Sequence, residues 1–337
     1  MTAEDGYLLD NRQVEAGERL AALSSLFDPT TFRHLERLGI RHGWRCWEVG
    51  AGGVSVASWM ADRVGTDGSV LATDLDLSWM PAGDRTSFEV QVHDVGADPP
   101  PAGPFDLVHA RLVLVHVPRR HEAMAAMVGA LRPGGWLVVE DADPALQPLT
   151  CIDEYGPEQK LANKLRRGFR ALLAGRGADL AFGRTLPRIF RLHGLVDVGA
   201  EGSFPLTGPE CALLERATVE QTRDRLVAAG LATDEEVDRH LDAVAGVVFR
   251  AAHLGEIPAG AEIGDAHRRI GLEAAAGEYH ALAADLAEAF GTLADDAGDC
   301  ALLVGHQADG GGVEADLDSL ALQDTVPHLH EAGSAVL

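Results

Sequence analysis

The chain predicts an α/β protein built on a doubly wound, mainly parallel sheet, and three observations carry that expectation. Short apolar runs alternate with helical segments between residues 44 and 141, which argues for a parallel sheet covered on both faces. Runs such as Leu137-Val138-Val139 are apolar without interruption, as strands buried on both sides are. The stretch CWEVGAGGVS, residues 46–55, reads as a buried strand, an acid and a glycine-rich turn entering a helix.

In chain order, residues 11–38 carry helical spacing through Val14, Leu20, Leu23, Leu26 and Phe27. Asp28 is expected to cap a second helix there, with Pro29 at its first position and Phe32, Leu35 and Leu38 on its apolar face. The core then reads WRCWEV, VASWMADRV, SVLATD, SFEVQV, FDLVHA, PRRHEAMAAMVGAL and WLVVED, five strands with helices between them. Residues 155–193 are helical, 195–201 strand-like, and 209–229 and 233–245 helical. Gly230 stops the first of that last pair, and Thr233 with Glu236 forms a capping box for the second. A closing strand is expected at either 247–253 or 301–307. Residues 262–297 are Ala-rich and read as helix, the GGGVEADLD run reads as loop, and the last 20 residues are expected to be disordered.

Composition excludes more than it identifies. The 337 residues are 46% hydrophobic, enough for a sizeable core. The formal net charge of −24 repels phosphate backbones and anionic membranes, so neither nucleic acid nor membrane is an expected partner. Residues 256–337 hold 16 acids against two arginines. Cys46, Cys151, Cys211 and Cys300 are widely spaced with no CxxC pair, so no metal site is signalled and reduced thiols are expected. The acidic N-terminus lacks an apolar signal core, and no run approaches the roughly 18 apolar residues of a membrane helix. A cytoplasmic location is expected.

The glycine turn invites a nucleotide-bearing cofactor. Gly50, Gly52 and Gly53 allow a sharp bend and a close backbone approach, and the following helix points its N-terminus at the ligand. A dinucleotide fingerprint counted from Gly50 requires glycine at 55, where Ser55 stands, so a nicotinamide oxidoreductase is disfavoured. Asp74 ends the next strand about 25 residues on, where a carboxylate can accept hydrogen bonds from ribose hydroxyls. Asp94 ends the third strand, where it could take an adenine amino group.

Five motifs in order, Glu48-Val49-Gly50-Ala51-Gly52, Ala72-Thr73-Asp74, His93-Asp94, Phe105-Asp106-Leu107-Val108 and Leu131-Arg132-Pro133-Gly134-Gly135, carry a family resemblance over residues 7–245. The chain resembles the class I S-adenosylmethionine-dependent methyltransferases, most of all the branch of the ubiquinone/menaquinone-biosynthesis C-methyltransferases and actinobacterial small-molecule methyltransferases. That resemblance implies a Rossmann-like, seven-stranded, mainly parallel sheet ending in an antiparallel hairpin, with N-terminal helices and a helical insert or lid. It implies S-adenosyl-L-methionine as cofactor and a small-molecule acceptor. It places Glu48 on the cofactor's ammonium, Gly50, Ala51 and Gly52 alongside it, Asp74 on the ribose, Leu75 against the adenine, and Asp94 and Val95 at the adenine edge. The division it suggests is residues 1–43 as N-terminal lid, 44–145 as cofactor-binding core, 146–250 as substrate-binding insert with an edge strand at 195–201, and 251–337 as acidic extension. The extension reads as an added helical element, an oligomerisation segment making a homodimer, or a divergent end that impairs the enzyme.

The family usually has glycine where Val54 stands. Valine is tolerated if the backbone at 54 is already helical, with Gly53 taking the sharp bend; a side chain aimed at the ribose would weaken binding. Val54 and the tail also motivate a second reading, a cofactor-binding protein of this fold without methyl transfer, regulatory or cyclase-like. His109 and His116 are the candidate bases, since imidazole suits proton transfer near neutrality, against a packing role for each. Arg111 could hold an anionic substrate or form a structural ion pair. Asp141 and Asp143 fit either substrate contact or, more simply, a solvated loop. Tyr7 is expected as a lid residue.

Overall fold

A computed structural model describes residues 8, 9, 11, 13–80, 87–146, 149–151, 153–205, 208–254 and 301–307; at Val14, 247–254 and 301–307 the description is of backbone alone. Helix α1 spans Val14–Arg37 and leads to β1, Arg45–Val49. Then come α2 (Ser55–Val64), β2 (Ser69–Asp74), β3 (Glu89–Val92), β4 (Phe105–Arg111), α3 (Arg120–Gly129) and β5 (Leu131–Asp141). The second half runs α4 (Pro157–Gly175), α5 (Leu186–Leu192), β6 (Leu195–Glu201), α6 (Pro209–Ala228), α7 (Asp234–Leu254) and β7 (Ala301–Gln307).

The first five strands form a parallel sheet in the order β3-β2-β1-β4-β5, so the chain reverses its winding beside β1. Beyond β5, β7 pairs antiparallel with both β5 and β6, and 301–307, rather than 247–253, lies at that edge. Residues 247–253 instead continue α7.

Strand periodicity sorts the side chains into two layers. Trp47, Val49, Leu137 and Val139 face a core shared with Met124, Met127 and Phe190 of α3 and α5. Cys46, Leu107, Val138 and Trp136 face the other, shared with Leu35 of α1 and Val56, Ala57 and Met60 of α2. A third cluster joins α4, α6 and α7 through Leu161, Leu165, Val219, Leu226 and Val237. The second-half helices thus hold one another with a core of their own.

Two local expectations change. Residues 14–37 are one helix with Pro29 inside it, not two helices. Proline removes a single donor, while Phe27 and Leu35, buried on either side of it, hold both halves down. Asp28 caps nothing: its carboxylate meets Arg111 at 2.9 Å and accepts from Ser55 Oγ at 3.3 Å. The Arg132–Gly135 segment of the fifth motif lies inside β5. Leu131 already pairs with Phe105 before the register shifts, and Trp136 then resumes opposite Leu107. The capping box is formed as expected: Glu236 N donates to Thr233 Oγ1 at 3.2 Å, and Thr233 N to Glu236 Oε2 at 3.0 Å. The expectations for 262–297, the glycine loop after 307 and the final 20 residues lie outside the described residues, as do Tyr7 and Cys300. Cys46, Cys151 and Cys211 are free thiols.

Candidate active site

The carboxyl ends of β1, β2, β3 and β4 open into one cleft of about 1370 Å³, roofed by α1 and by α4, α6 and α7. Single-ligand pockets run to about 1,000 Å³, so this one has room for a cofactor and a second molecule. Its floor is the glycine turn. Gly50 and Gly52 take left-handed backbone, φ 62° and 61°, where L side chains are strained. A Cβ at Gly52 would also press on Leu20 Cδ2 at 2.9 Å. Ala51 N donates to Thr73 O at 3.0 Å, and Gly52 N to Asp74 Oδ2 at 2.8 Å, so the tip of β2 holds the turn in shape.

Gly53 lies in the bend, as expected, with its N–H folded back onto Ala51 O, and its φ is not left-handed. Val54 has φ −98° and ψ −13°, right-handed helical values that valine adopts freely, and its side chain is outside the cleft wall. The condition for tolerating valine is therefore met.

The other cofactor candidates gather on the same wall. Gly50, Ala51, Gly52, Asp74, Leu75, Asp94 and Val95 all line the cleft. Burial pushes the Asp74 carboxyl above its ordinary value, opposed by hydrogen bonds from the Asp76, Gly52 and Leu75 backbone. Leu75 is 63% exposed, a large apolar side chain offered to the cleft. Asp94 Oδ1 accepts from Gly96 N at 2.8 Å. Val95 is buried against the β1–β4 core.

Glu48 and His109, expected at the cofactor and as a base, are not among the residues that line the cleft. Glu48 points into the sheet, where its Oε2 meets His109 Nδ1 at 2.5 Å, and His109 Nε2 meets Glu140 Oε1 at 3.0 Å. All three side chains are buried. Burial works to lower the His109 pKa, but Glu48 and Glu140 outweigh it and push it up to about 9. An imidazole already protonated and enclosed by two carboxylates has no lone pair to act as a base. Thr31 Oγ1 donates to Glu140 Oε2 at 2.9 Å, and Arg111 Nη1 donates to Thr31 Oγ1 at 2.9 Å. Arg111 reaches the cleft wall as an ion pair with Asp28, so its charge is met from within the chain.

His116 lines the cleft at the end of a short 3-10 turn, Leu114–His116. Burial, then the charges of Arg19 and Arg120, push its pKa down to about 4. Asp141 is buried rather than solvated: it accepts from Val115 N and Ala142 N, each at 2.9 Å, and burial raises its pKa to about 7. Asp143 is gripped by Arg184 Nε at 2.7 Å and Nη2 at 2.6 Å.

Several wall residues were not singled out in the sequence as site residues. Leu20, Leu23, Ser24 and Phe27 of α1 face the cleft, and Leu112, a non-glycine residue with φ 58°, sits at the end of β4. The spacing of the α1 residues was visible, but a cleft-facing stripe and a core-facing stripe look alike in sequence. Glu215 and His240, on α6 and α7, also line it. Among the described residues no group of three or more His, Cys, Asp or Glu could hold a metal ion, and no helix is long and apolar enough to cross a membrane.

Fold and cleft together define a Rossmann-like α/β domain with parallel strands presenting a glycine turn and two acid-bearing strand ends to a ligand. Residues 47–139 match the family described as a methyltransferase domain. It is 32% identical over 143 residues to methyltransferase str3 of Strobilurus tenacellus, covering 41% of this chain and 48% of that one. It is 31% identical over 124 residues to the ubiquinone/menaquinone biosynthesis C-methyltransferase UbiE of Laribacter hongkongensis, covering 35% and 51%. The chain spans about half the length of these curated relatives. Among solved structures it is similar to phosphoethanolamine N-methyltransferase 2 of Haemonchus contortus, at 15% identity and TM-score 0.48 over 90% of this chain and 60% of that one. An S-adenosylmethionine-dependent methyltransferase from Mesorhizobium loti gives 18% and 0.38, over 60% and 91%.

Proposed function

We propose that the chain is an active methyltransferase that moves a methyl group from S-adenosyl-L-methionine to oxygen, nitrogen or carbon of a small-molecule acceptor. The observation that carries the proposal is the coupling of Gly52 N to Asp74 Oδ2 at 2.8 Å, which fixes an acid and a left-handed glycine turn on one wall of a two-ligand cleft. The residues fit the donor. Asp74 takes the ribose, Leu75 the face of the adenine and Asp94 its edge, with Val95 beside it. Gly50, Ala51 and Gly52 leave room for the chain that carries the sulfur. The bound donor supplies a methyl already activated by its sulfonium charge. The protein's part is alignment and exclusion of water.

His116, neutral at working pH, acts there as a hydrogen-bond acceptor. A phenol-like proton with pKa about 10, handed to a base of pKa about 4, climbs roughly 6 units, or about 8 kcal/mol. Residues 1–43 serve as lid, 44–145 as cofactor core, 146–250 as acceptor-binding insert and 251–337 as an extension, with β6 and β7 completing a seven-stranded sheet. The free thiols suit the cytoplasm. The net charge of −24 suits small-molecule partners rather than nucleic acid or membrane. A homodimer through the extension completes the proposal.

Calorimetric titration with S-adenosylmethionine, S-adenosylhomocysteine and NAD tests this reading. Both sulfur ligands are expected to bind and NAD is not. No heat from either sulfur ligand would end the proposal, and tight binding without methylation across a broad acceptor panel would favour the non-catalytic reading.

A further inference from the structure

Three histidines on or beside the cleft have surroundings that make them poor bases. His109 is already protonated between two carboxylates. Burial, then the charges of Arg19 and Arg120, push the His116 pKa down to about 4. His93 has Nε2 on the Pro99 carbonyl at 3.0 Å, and its Nδ1 is sealed from solvent with no partner.

His240 differs from all three. It lies on α7, its Nε2 is 3.0 Å from Glu215 Oε1 on α6, and both residues line the cleft. Glu215 has no other hydrogen bond among the described residues, so its carboxylate fixes the imidazole tautomer with the proton on Nε2. Nδ1 then carries the lone pair. It has no hydrogen bond among the described residues. A carboxylate behind an imidazole that lines a ligand cavity is the arrangement of a general base. The pair belongs to the helical layer, and Phe169, Leu173, Phe204 and Val244 line the same cleft. The other titratable or charged groups on the wall from these elements include Cys211 on α6, Cys151 ahead of α4, and Glu158 and Arg166 on α4.

We propose that His240 is the general base of the reaction, with Glu215 as its positioning residue, and that the acceptor is a ring-bearing phenol or enol methylated on oxygen. The inference rests on the methyltransferase reading and narrows it. The hydroxyl proton passes to Nδ1, and the oxygen lone pair forms the new O–CH3 bond. The methyl–sulfur bond breaks with its electron pair left on sulfur, which becomes a neutral thioether. The imidazolium, paired with Glu215, then returns the proton to water. The phenylalanine faces on the wall suit a flat ring.

The probe is 4-nitrophenol, whose phenolate is yellow and whose phenol is not, titrated into protein saturated with S-adenosylhomocysteine at a pH where the free probe is mostly protonated. The wild type should bind it as phenolate. His240→Gln should give at least tenfold less phenolate, with S-adenosylhomocysteine affinity kept within about twofold by calorimetry, and Glu215→Gln should fall between. Saturation with S-adenosylhomocysteine but no excess phenolate, or equal phenolate in His240→Gln, overturns this inference alone. No S-adenosylhomocysteine binding by the wild type removes the methyltransferase reading and this one with it.

Discussion

Replacing His109 with glutamine should change how stability depends on pH. In the folded chain Glu48 and Glu140 hold the His109 pKa at about 9, against about 6.5 for an unperturbed imidazole. The folded state therefore binds this proton more tightly than the unfolded one. The stabilisation is fully present below pH about 6.5 and is lost as pH rises through about 9. A shift of about 2.5 units corresponds to about 3 kcal/mol at roughly 1.4 kcal/mol per unit. Asp141 works in a lower window: its raised folded pKa of about 7 removes stability as pH rises from about 4 to 7, so the two contributions separate. Urea unfolding from pH 6.5 to 9.5 should show the wild type losing about 3 kcal/mol more than His109→Gln across that interval. The variant is expected to start lower, because it leaves two carboxylates facing a neutral amide. Parallel curves for the two proteins would show that His109 is neutral in the fold, and the account of the buried triad would be wrong.

Asp74→Ala should weaken S-adenosylhomocysteine binding at least tenfold by calorimetry, since it removes the proposed ribose ligand and the acceptor that shapes the glycine turn. Unchanged affinity would mean the ribose site is misplaced. Val54→Gly should leave that affinity within about twofold and lower stability by up to about 1 kcal/mol, because the position is helical and off the cleft wall; a tenfold gain in affinity would show the valine obstructing the ligand. Leu226→Ala, in the core shared by α4, α6 and α7, should cost about 2–5 kcal/mol in chemical denaturation; a loss under about 1 kcal/mol would mean these helices hold together by other means.

The five parallel strands and the glycine turn were legible because apolar runs and left-handed glycines are local signals. So was the Thr233–Glu236 cap, which depends on four consecutive residues. Pro29 misled because a proline's local penalty was read without the packing of Phe27 and Leu35 that overrides it. Residues 247–253 and 301–307 both carry short apolar runs, and only pairing to β5 separates them, which is a contact 160 residues and more away in the chain. The least legible features were the surroundings of the histidines. His109, His116 and His240 are the same residue type, and their neighbours are long-range: Glu48 and Glu140 for the first, Arg19 for the second, Glu215 on another helix for the third. Sequence proposes a histidine; only the fold assigns its charge.

Glu48 is the case where sequence and structure assign different work to one side chain, and it can be settled by separating affinity from stability. As a ligand to the donor's ammonium, its carboxylate would have to leave His109 and enter the cleft, stranding a buried imidazolium with Glu140 alone. Breaking a buried ion pair costs about 3–5 kcal/mol, more than one water-mediated contact to an ammonium returns. Glu48→Gln should therefore lower unfolding free energy by about 3 kcal/mol while S-adenosylhomocysteine affinity falls less than tenfold. The turn is held instead by Asp74 and Thr73, which the substitution does not touch. The opposite split, affinity down a hundredfold with stability kept, would place Glu48 in the cleft during binding and reduce the triad to a resting arrangement.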